Sequence, residues 1–255
     1  MLAAVEALQG RLGRMKPPVR NEYNLSERVT QFLVKHIQDN DLKPGDRVPS
    51  EVQVSGKLGI SRGVVRQAYH SLRTAGILEI AMGRSPRVGE VSHAAFTPLF
   101  VHALSTDQAS VEDVLELRFA VEIRAVELAA THRNAGHVEA LRKAVEGMRK
   151  TVNELERFAR IDVRFHQVIG NATGNPLFEI FSRALRGSYE SSIRTGLRSR
   201  STLAQIEKIV ETHQAIVDAI EAQQPSRARK LMILHFKEAK TALRAASKSV
   251  DRQAR

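Results

Sequence analysis

Three stretches of sequence decide the fold of the first third of the chain: LKPGDRVPSE at residues 42–51, LGISRGVVR at residues 58–66 and LRTAGIL at residues 72–78. Ser50 predicts the N-cap of a short helix, because a serine hydroxyl accepts a hydrogen bond from a free amide of the first turn. Gly59 predicts the end of that helix, since glycine readily adopts the left-handed conformation that closes many helices. Ser61 then predicts the start of another helix, which ends near Gly76. This spacing is typical of two helices joined by a tight turn.

A further helix precedes this pair, and a hairpin follows it. Apolar residues from Leu25 to Ile37 recur at helical spacing, and the turn at residues 43–46 predicts the end of the helix. Residues 77–80 and 86–88 predict two short strands, because a glycine-containing turn separates them. Three helices and a hairpin in this order predict a winged helix-turn-helix.

The domain organisation follows from a change of pattern near residue 92. Residues 23–92 make up the predicted winged helix-turn-helix domain, whereas residues 93–250 carry apolar stripes of helical period and no strand signal. The fold class is therefore mainly α, with a C-terminal all-α helical bundle. Residues 1–22 contain two adjacent prolines and predict a flexible extension. Helices of the bundle are predicted at residues 95–104, 110–132, 136–152, 154–172, 176–198, 202–222 and 226–247.

Composition limits the class of function. The chain has 255 residues, a formal net charge of +11 and no cysteine, so disulfides and thiolate metal sites are excluded. The cytoplasm is the expected compartment, because there is no signal-peptide pattern and no apolar run near the roughly 18 residues of a membrane span. The positive charge suits a polyanionic partner. Residues 52–78 carry four lysine and arginine residues and no acidic residue, which indicates the DNA-binding segment.

The helix after Ser61 has the residue types of a DNA-reading helix. Such a helix presents donors for phosphates and for guanine O6 and N7 in its first turns. Arg62 and Arg66 are four residues apart and share a face. Ser61 lies at the positive end of the helix, and Gly63 allows close approach to the DNA backbone. The alternative is a simple cap followed by a solvated face, and the surrounding three helices and hairpin favour DNA binding.

Four polar residues of the second half lie on apolar helix faces: Asp162, His166, His213 and His235. Because a buried carboxylate is costly without a counter-charge or a metal ion, the set predicts a divalent metal site. One carboxylate and three imidazoles suit Zn²⁺, Ni²⁺, Mn²⁺ or Fe²⁺, and zinc is our first expectation. The alternative is that each histidine is only a hydrogen-bonded core residue.

The three stretches quoted first, with their order and spacing, resemble the GntR superfamily of transcription regulators. In that family the matching serine and arginines of the recognition helix and a wing glycine contact DNA. The resemblance implies this role for Ser61, Arg62, Gly63, Arg66 and Gly83. Val52 and Ser85 replace residues that are arginine and glycine in many relatives, and Arg47 and Arg84 are candidates to compensate for them.

The second half resembles the FCD effector domain of the FadR subfamily, through IDVRFH at 161–166, ATGNPL at 172–177, THQAIVDAI at 212–220 and LH at 234–235. In metal-containing members, the matching aspartate and three histidines are the metal ligands. An arginine in the position of Arg118 often reaches the carboxylate of an organic-acid effector, although Arg118 could instead only pair with Glu122. Arg194 and Arg198 are secondary candidates for the effector pocket, and a solvated face is the alternative for them.

The predicted function is that of a transcription repressor of a metabolic operon. It would bind double-stranded operator DNA as a homodimer and sense a small carboxylate or sugar acid through the metal-containing pocket. The main alternative is a metal-dependent hydrolytic enzyme, since three histidines and an aspartate with open coordination positions can activate water. The sequence has no HExxH, no GxSxG and no glycine-rich phosphate loop, and an enzyme leaves residues 42–88 unexplained. A basic DNA-packaging protein fits the charge but not the inward polar set.

Overall fold

The computed structural model describes residues 19–198, 200 and 202–253. The chain divides into two compact units, with the boundary between Ser92 and His93. The expectation of a flexible extension at residues 1–22 falls mostly outside the described residues, and the first described helix begins at Val19. No helix in the described ranges has both the length and the apolar composition needed to cross a membrane.

The first unit is the predicted winged helix-turn-helix. Its elements are α1 (Val19–Asp39), α2 (Glu51–Leu58), α3 (Arg62–Thr74), β1 (Leu78–Glu79) and β2 (Arg87–Val88). The two strands pair antiparallel, with Leu78 opposite Val88. Residues from all of these elements form one apolar core, which includes Leu33, Val54 and Leu72. This core holds α3 against α1 and α2.

The helix ends of this unit follow the sequence signals. The Ser50 side chain accepts a hydrogen bond from the Gln53 amide, and the Gln53 side chain accepts one from the Ser50 amide, which completes a capping box. Gly59 has a φ of 65° and closes α2 in the left-handed conformation. The buried Tyr69 hydroxyl donates a hydrogen bond to the carbonyl of Pro49. These contacts fix the turn between α2 and α3.

The second unit is all-helical in the described residues. After a 3₁₀ turn at His93–Ala95, its helices are α4 (Thr97–Ser105), α5 (Val111–His132), α6 (Ala135–Lys150), α7 (Leu155–Asn171), α8 (Pro176–Ala184), α9 (Arg186–Arg198), α10 (Leu203–Glu221) and α11 (Pro225–Gln253). Large apolar side chains such as Phe158, Phe165 and Ile216 are fully buried in its main core.

One predicted helix of this unit is wrong. The segment at residues 176–198 is not continuous, because Leu185 interrupts it and separates α8 from α9. The Leu185 side chain is fully buried in a small cluster with Val114 and Val163. Since the interruption is one residue long and itself apolar, the hydrophobic period continues across it and the sequence does not reveal it.

Candidate functional site

The outward face of α3 carries the predicted DNA-reading residues. The helix buries Val65, Ala68, Tyr69 and Leu72 in the core of the first unit. Because these residues fix the rotation of the helix, the remaining face is turned to solvent. The exposed residues of its first turns include Ser61, Arg62, Gly63 and Arg66, together with Gln67.

The side chains at the start of α3 are available to a ligand. Ser61 occupies the N-cap position, but its hydroxyl makes no capping hydrogen bond, unlike that of Ser50. The Arg66 side chain is 74% exposed, and its Nε lies 3.5 Å from Oε2 of Glu51. An exposed pair at this distance contributes little to stability. The arginine can therefore turn to a phosphate or a base at little cost.

The remaining predicted DNA contacts lie in or near the hairpin. Gly83 has a φ of 72°, and a side chain there would meet no other atom, so the turn requires glycine for its backbone conformation rather than for space. Arg84 follows it and is exposed. Arg47 is also exposed and forms an isolated antiparallel bridge with Arg87 of β2. The structure thus puts these basic residues on the surface of the first unit.

The four predicted metal ligands come together inside the second unit. Asp162 and His166 project from α7, His213 from α10 and His235 from α11, and all four are buried. One ring nitrogen from each histidine lies within 4.8 Å of the other two. The Asp162 carboxylate lies beside them, with Oδ1 2.9 Å from Nε2 of His213 and Oδ2 3.6 Å from Nε2 of His166.

Contacts at Nδ1 orient two of the rings, those of His213 and His166. Nδ1 of His213 lies 2.8 Å from the carbonyl oxygen of Ile209. Since a carbonyl oxygen only accepts, this nitrogen is the donor and Nε2 of a neutral ring carries the lone pair. Nδ1 of His166 contacts Oε2 of Glu122, although the pair lacks the geometry of a hydrogen bond. Both Nε2 atoms are then free to bind a cation.

Glu122 links the cluster to Arg118. Its Oε1 accepts a hydrogen bond of 3.0 Å from Nε of Arg118, and its Oε2 contacts Nδ1 of His166 without the geometry of a hydrogen bond. Burial raises the pKa of Glu122, but the charges of His166 and Arg118 outweigh burial and leave the pKa below its ordinary value. A carboxylate that orients a ligating histidine is a frequent feature of metal sites. From the sequence, Glu122 is expected only as a partner for Arg118, although its helical spacing on the apolar face of α5 signals an inward position.

The electrostatics of the cluster fit a divalent cation. Burial raises the pKa of Asp162, but the positive charges that His213 and His166 carry when protonated lower it by more. The pKa of Asp162 therefore lies below its ordinary range. Burial, reinforced by His213 and His166, lowers the pKa of His235 well below its ordinary value, so its ring is neutral. Neither Nε2 of His166 nor Nε2 of His213 has a hydrogen-bond partner among the described residues. Lone pairs that face a buried carboxylate need a positive charge between them, and a metal ion supplies it.

A cavity of about 40 Å³ opens beside this cluster. Asp162 and His235 form part of its wall, together with Arg118, whose guanidinium also lies over the ring of Phe236. Much of the remaining wall is apolar and includes Leu115, Phe158, Ile193, Leu197 and Ile209. The combination of apolar walls and a few convergent polar groups is typical of a site for a small organic molecule.

Two arginines predicted near the pocket lie elsewhere, and one that was not predicted lies in it. Arg194 and Arg198 pair with Glu156 at 3.1 and 3.4 Å, and neither lines the cavity. Arg200 lines the cavity together with Glu238. Arg200 lies in the connection between α9 and α10, where no helical period indicates which residues point inward. A sequence pattern therefore offers no signal for it.

A winged helix-turn-helix joined to a helical unit with a polar cluster and a cavity defines the class of DNA-binding transcription regulators. The sequence profile described as "Bacterial regulatory proteins, gntR family" matches residues 25–88, and the profile described as "FCD domain" matches residues 113–238. The chain therefore belongs to the GntR family of bacterial regulators and carries an FCD domain. This makes it a transcription regulator and not an enzyme, which sets aside the hydrolytic alternative.

Curated proteins agree with this assignment, and a solved structure shares the fold. The chain is 26% identical over 230 residues to the HTH-type transcriptional regulator YcbG of Bacillus subtilis, which covers 88% of this chain and 91% of that protein. It is 27% identical over 234 residues to the HTH-type transcriptional repressor NanR of Salmonella newport, with 89% and 87% covered. The structure of Streptococcus agalactiae GntR shares the fold, with a TM-score of 0.63, 24% identity, and 85% of this chain and 99% of that chain covered.

Proposed function

We propose that this regulator is a metal-dependent, ligand-responsive repressor of a metabolic operon. The observation that carries the proposal is the pair of buried imidazole nitrogens, on His166 and His213, that face the Asp162 carboxylate beside a cavity. Such a cluster is costly as a bare core and favourable around a cation. The relative NanR is named a transcriptional repressor, and this supports repression rather than activation by the present chain.

In the proposed site Asp162, His166, His213 and His235 hold one divalent ion, with zinc as the first candidate. The ion supplies a Lewis-acidic positive charge that binds a carboxylate or hydroxyl group. Arg118 contributes a second positive charge from the cavity wall, and its pair with Glu122 keeps it in place. A small organic acid or sugar acid has the matching charge and oxygen donors.

For the DNA-binding unit we propose that Ser61, Arg62, Gly63 and Arg66 contact the major groove and phosphates. The wing residues Gly83 and Arg84, together with Arg47, would add backbone contacts. A single recognition helix reads few base pairs, so a homodimer on an inverted repeat is the expected form. Sedimentation of the protein on DNA measures this directly, and one chain per operator would contradict it.

The two sites are coupled if the effector lowers the affinity for the operator. By linkage, operator DNA must then lower the affinity for the effector by the same factor. This reciprocity gives the proposal a quantitative check, because the two factors come from independent titrations. A ligand that binds equally well with and without DNA cannot be the effector.

The experiment that tests the proposal compares three variants on an operator selected from random DNA. We expect Arg66→Ala to lose operator affinity while keeping its metal content, and His213→Ala to lose metal and effector response while keeping operator binding. His102→Ala is the matched control, since His102 is an exposed histidine of the same unit outside the cluster. If wild-type protein holds no metal and His213→Ala still responds to the effector, the cluster is only a polar core.

A further inference from the structure

Arg200 is a second guanidinium in the wall of the cavity. It is half-buried and lies between the end of α9 at Arg198 and the start of α10 at Leu203. Its one guanidinium hydrogen bond among the described residues runs from NH1 to the carbonyl of Gly196, at 2.6 Å. Arg118 differs, because it already has a carboxylate partner in Glu122.

Among the described residues, no carboxylate oxygen lies within 4.0 Å of a guanidinium nitrogen of Arg200, which is the distance limit for an ion pair. Asp162 and Glu238 are near enough to influence it, since burial lowers the pKa of Arg200 and these two charges counteract burial. A partly desolvated guanidinium that remains charged and has unused donors favours an anionic ligand. Its planar geometry suits a carboxylate in particular.

Arg200 also lines a second, open space. A groove of about 680 Å³ runs along α10 and α11, and its wall shares Arg200, Ile209 and Glu238 with the smaller cavity. Besides Arg200, the groove is lined by the basic residues Lys208 and Lys237, whereas Glu238 is the one acidic residue of its described lining. Arg200 thus lies where the cavity beside the histidine cluster meets a groove whose charged lining residues are mostly basic.

The cavity beside the cluster is small, and the groove next to it is large. The cavity has a volume of about 40 Å³, whereas the groove that shares Arg200, Ile209 and Glu238 with it has about 680 Å³. An effector too large for the cavity therefore extends past Arg200 towards the groove.

We infer that Arg200 is a specificity-determining residue that binds a second anionic group of the effector. The inference rests on the proposed function and narrows it: the ligand class is a hydroxy acid with two carboxylates. One end occupies the metal side of the cavity near Arg118, and the other carboxylate pairs with Arg200 at the mouth. Glu238 opposes this second carboxylate by charge and limits the affinity.

Matched ligands that differ by one carboxylate test this inference. Lactate and malate share a chelating α-hydroxycarboxylate group, and malate adds a second carboxylate. In 2-hydroxyglutarate the two carboxylates are one carbon farther apart than in malate. By titration calorimetry on zinc-loaded wild-type protein, we expect at least one dicarboxylate to bind about tenfold or more tightly than lactate. Arg200→Gln should remove this preference and change lactate binding by less than about twofold. Arg198→Gln is the control, because Arg198 is exposed and pairs with Glu156 outside the cavity.

Two further variants keep the test decisive if Arg200→Gln fails to fold. Arg200→Lys keeps the charge but not the planar fork, so we expect an intermediate preference. Glu238→Gln removes the opposing charge and should raise dicarboxylate affinity about two- to fivefold without changing lactate affinity. A wild-type protein that binds neither dicarboxylate more tightly than lactate, or Arg200 and Glu238 variants that keep the wild-type preference, would overturn the inference.

Failure of the inference is distinguishable from failure of the proposed function through His213→Ala. If this variant loses zinc and all three ligands while Arg200→Gln keeps the wild-type preference, the metal site stands and the role of Arg200 is refuted. If His213→Ala binds the ligands as wild type does, the metal-dependent site itself is refuted.

Discussion

Removal of the proposed metal ion should destabilise the second unit and leave the first unit unchanged. The perturbation is chelation followed by dialysis, which strips the ion without altering a residue. In the stripped protein, Nε2 of His166 and Nε2 of His213 stay buried without a hydrogen-bond partner among the described residues, next to the buried carboxylate of Asp162. The folded state of this unit alone carries the cost, because in the unfolded chain water solvates all three groups.

The size of the effect follows from these two nitrogens. A buried polar group left unsatisfied costs about 1–3 kcal/mol, so the pair costs about 2–6 kcal/mol. Linkage provides a second estimate, since a free metal concentration 100 times its Kd stabilises the folded state by about 2.7 kcal/mol. The two estimates overlap near about 3 kcal/mol. For a domain of this size, 1 kcal/mol shifts Tm by about 2–4 °C, so we expect Tm to fall by about 6–12 °C.

Differential scanning calorimetry of loaded and stripped protein measures this shift, with elemental analysis of both samples. His213→Ala serves as the control, because a variant that no longer holds the ion should not respond to the chelator. His102→Ala should behave as wild type. If protein shown to be free of metal unfolds at the same temperature as protein loaded with zinc, nickel or manganese, the cluster is a satisfied polar core and our account of its lone pairs is wrong.

Three further predictions concern single residues. Arg66→Ala should weaken operator binding by about 1–3 kcal/mol, measured by fluorescence anisotropy at fixed salt. Arg73→Ala, at the far end of the same helix, should cause a smaller loss, and equal losses would argue against base contacts by Arg66. Glu122→Gln should lower metal affinity about 10- to 100-fold in a competition assay, because His166 loses the carboxylate that orients it; unchanged affinity would remove Glu122 from the site. Gly59→Ala should destabilise the first unit by about 1 kcal/mol in urea unfolding, since φ at this position is 65°; a neutral effect would show that the α2 end tolerates a side chain.

Much of the fold could be predicted from the sequence because its signals are local. Ser50 and Gly59 mark helix ends through hydrogen bonds and backbone conformations that involve only neighbouring residues. The apolar period of α7 placed Asp162 and His166 on the buried face, and the structure agrees. The break at Leu185 escaped prediction because an apolar residue in a one-residue interruption leaves the period intact.

The sequence by itself determined the elements, their order, the outward face of α3 and the inward positions of one aspartate and three histidines, because each follows from spacing along a single helix. Only the tertiary structure decided that three separate helices bring these four side chains together, since periodicity sets which face of a helix is buried but not which helix it meets. The same holds for Arg200, whose position in a connection between helices has no period at all. Its place beside the cavity depends on how α9, α10 and α11 pack, and that packing is the sum of contacts distant in sequence.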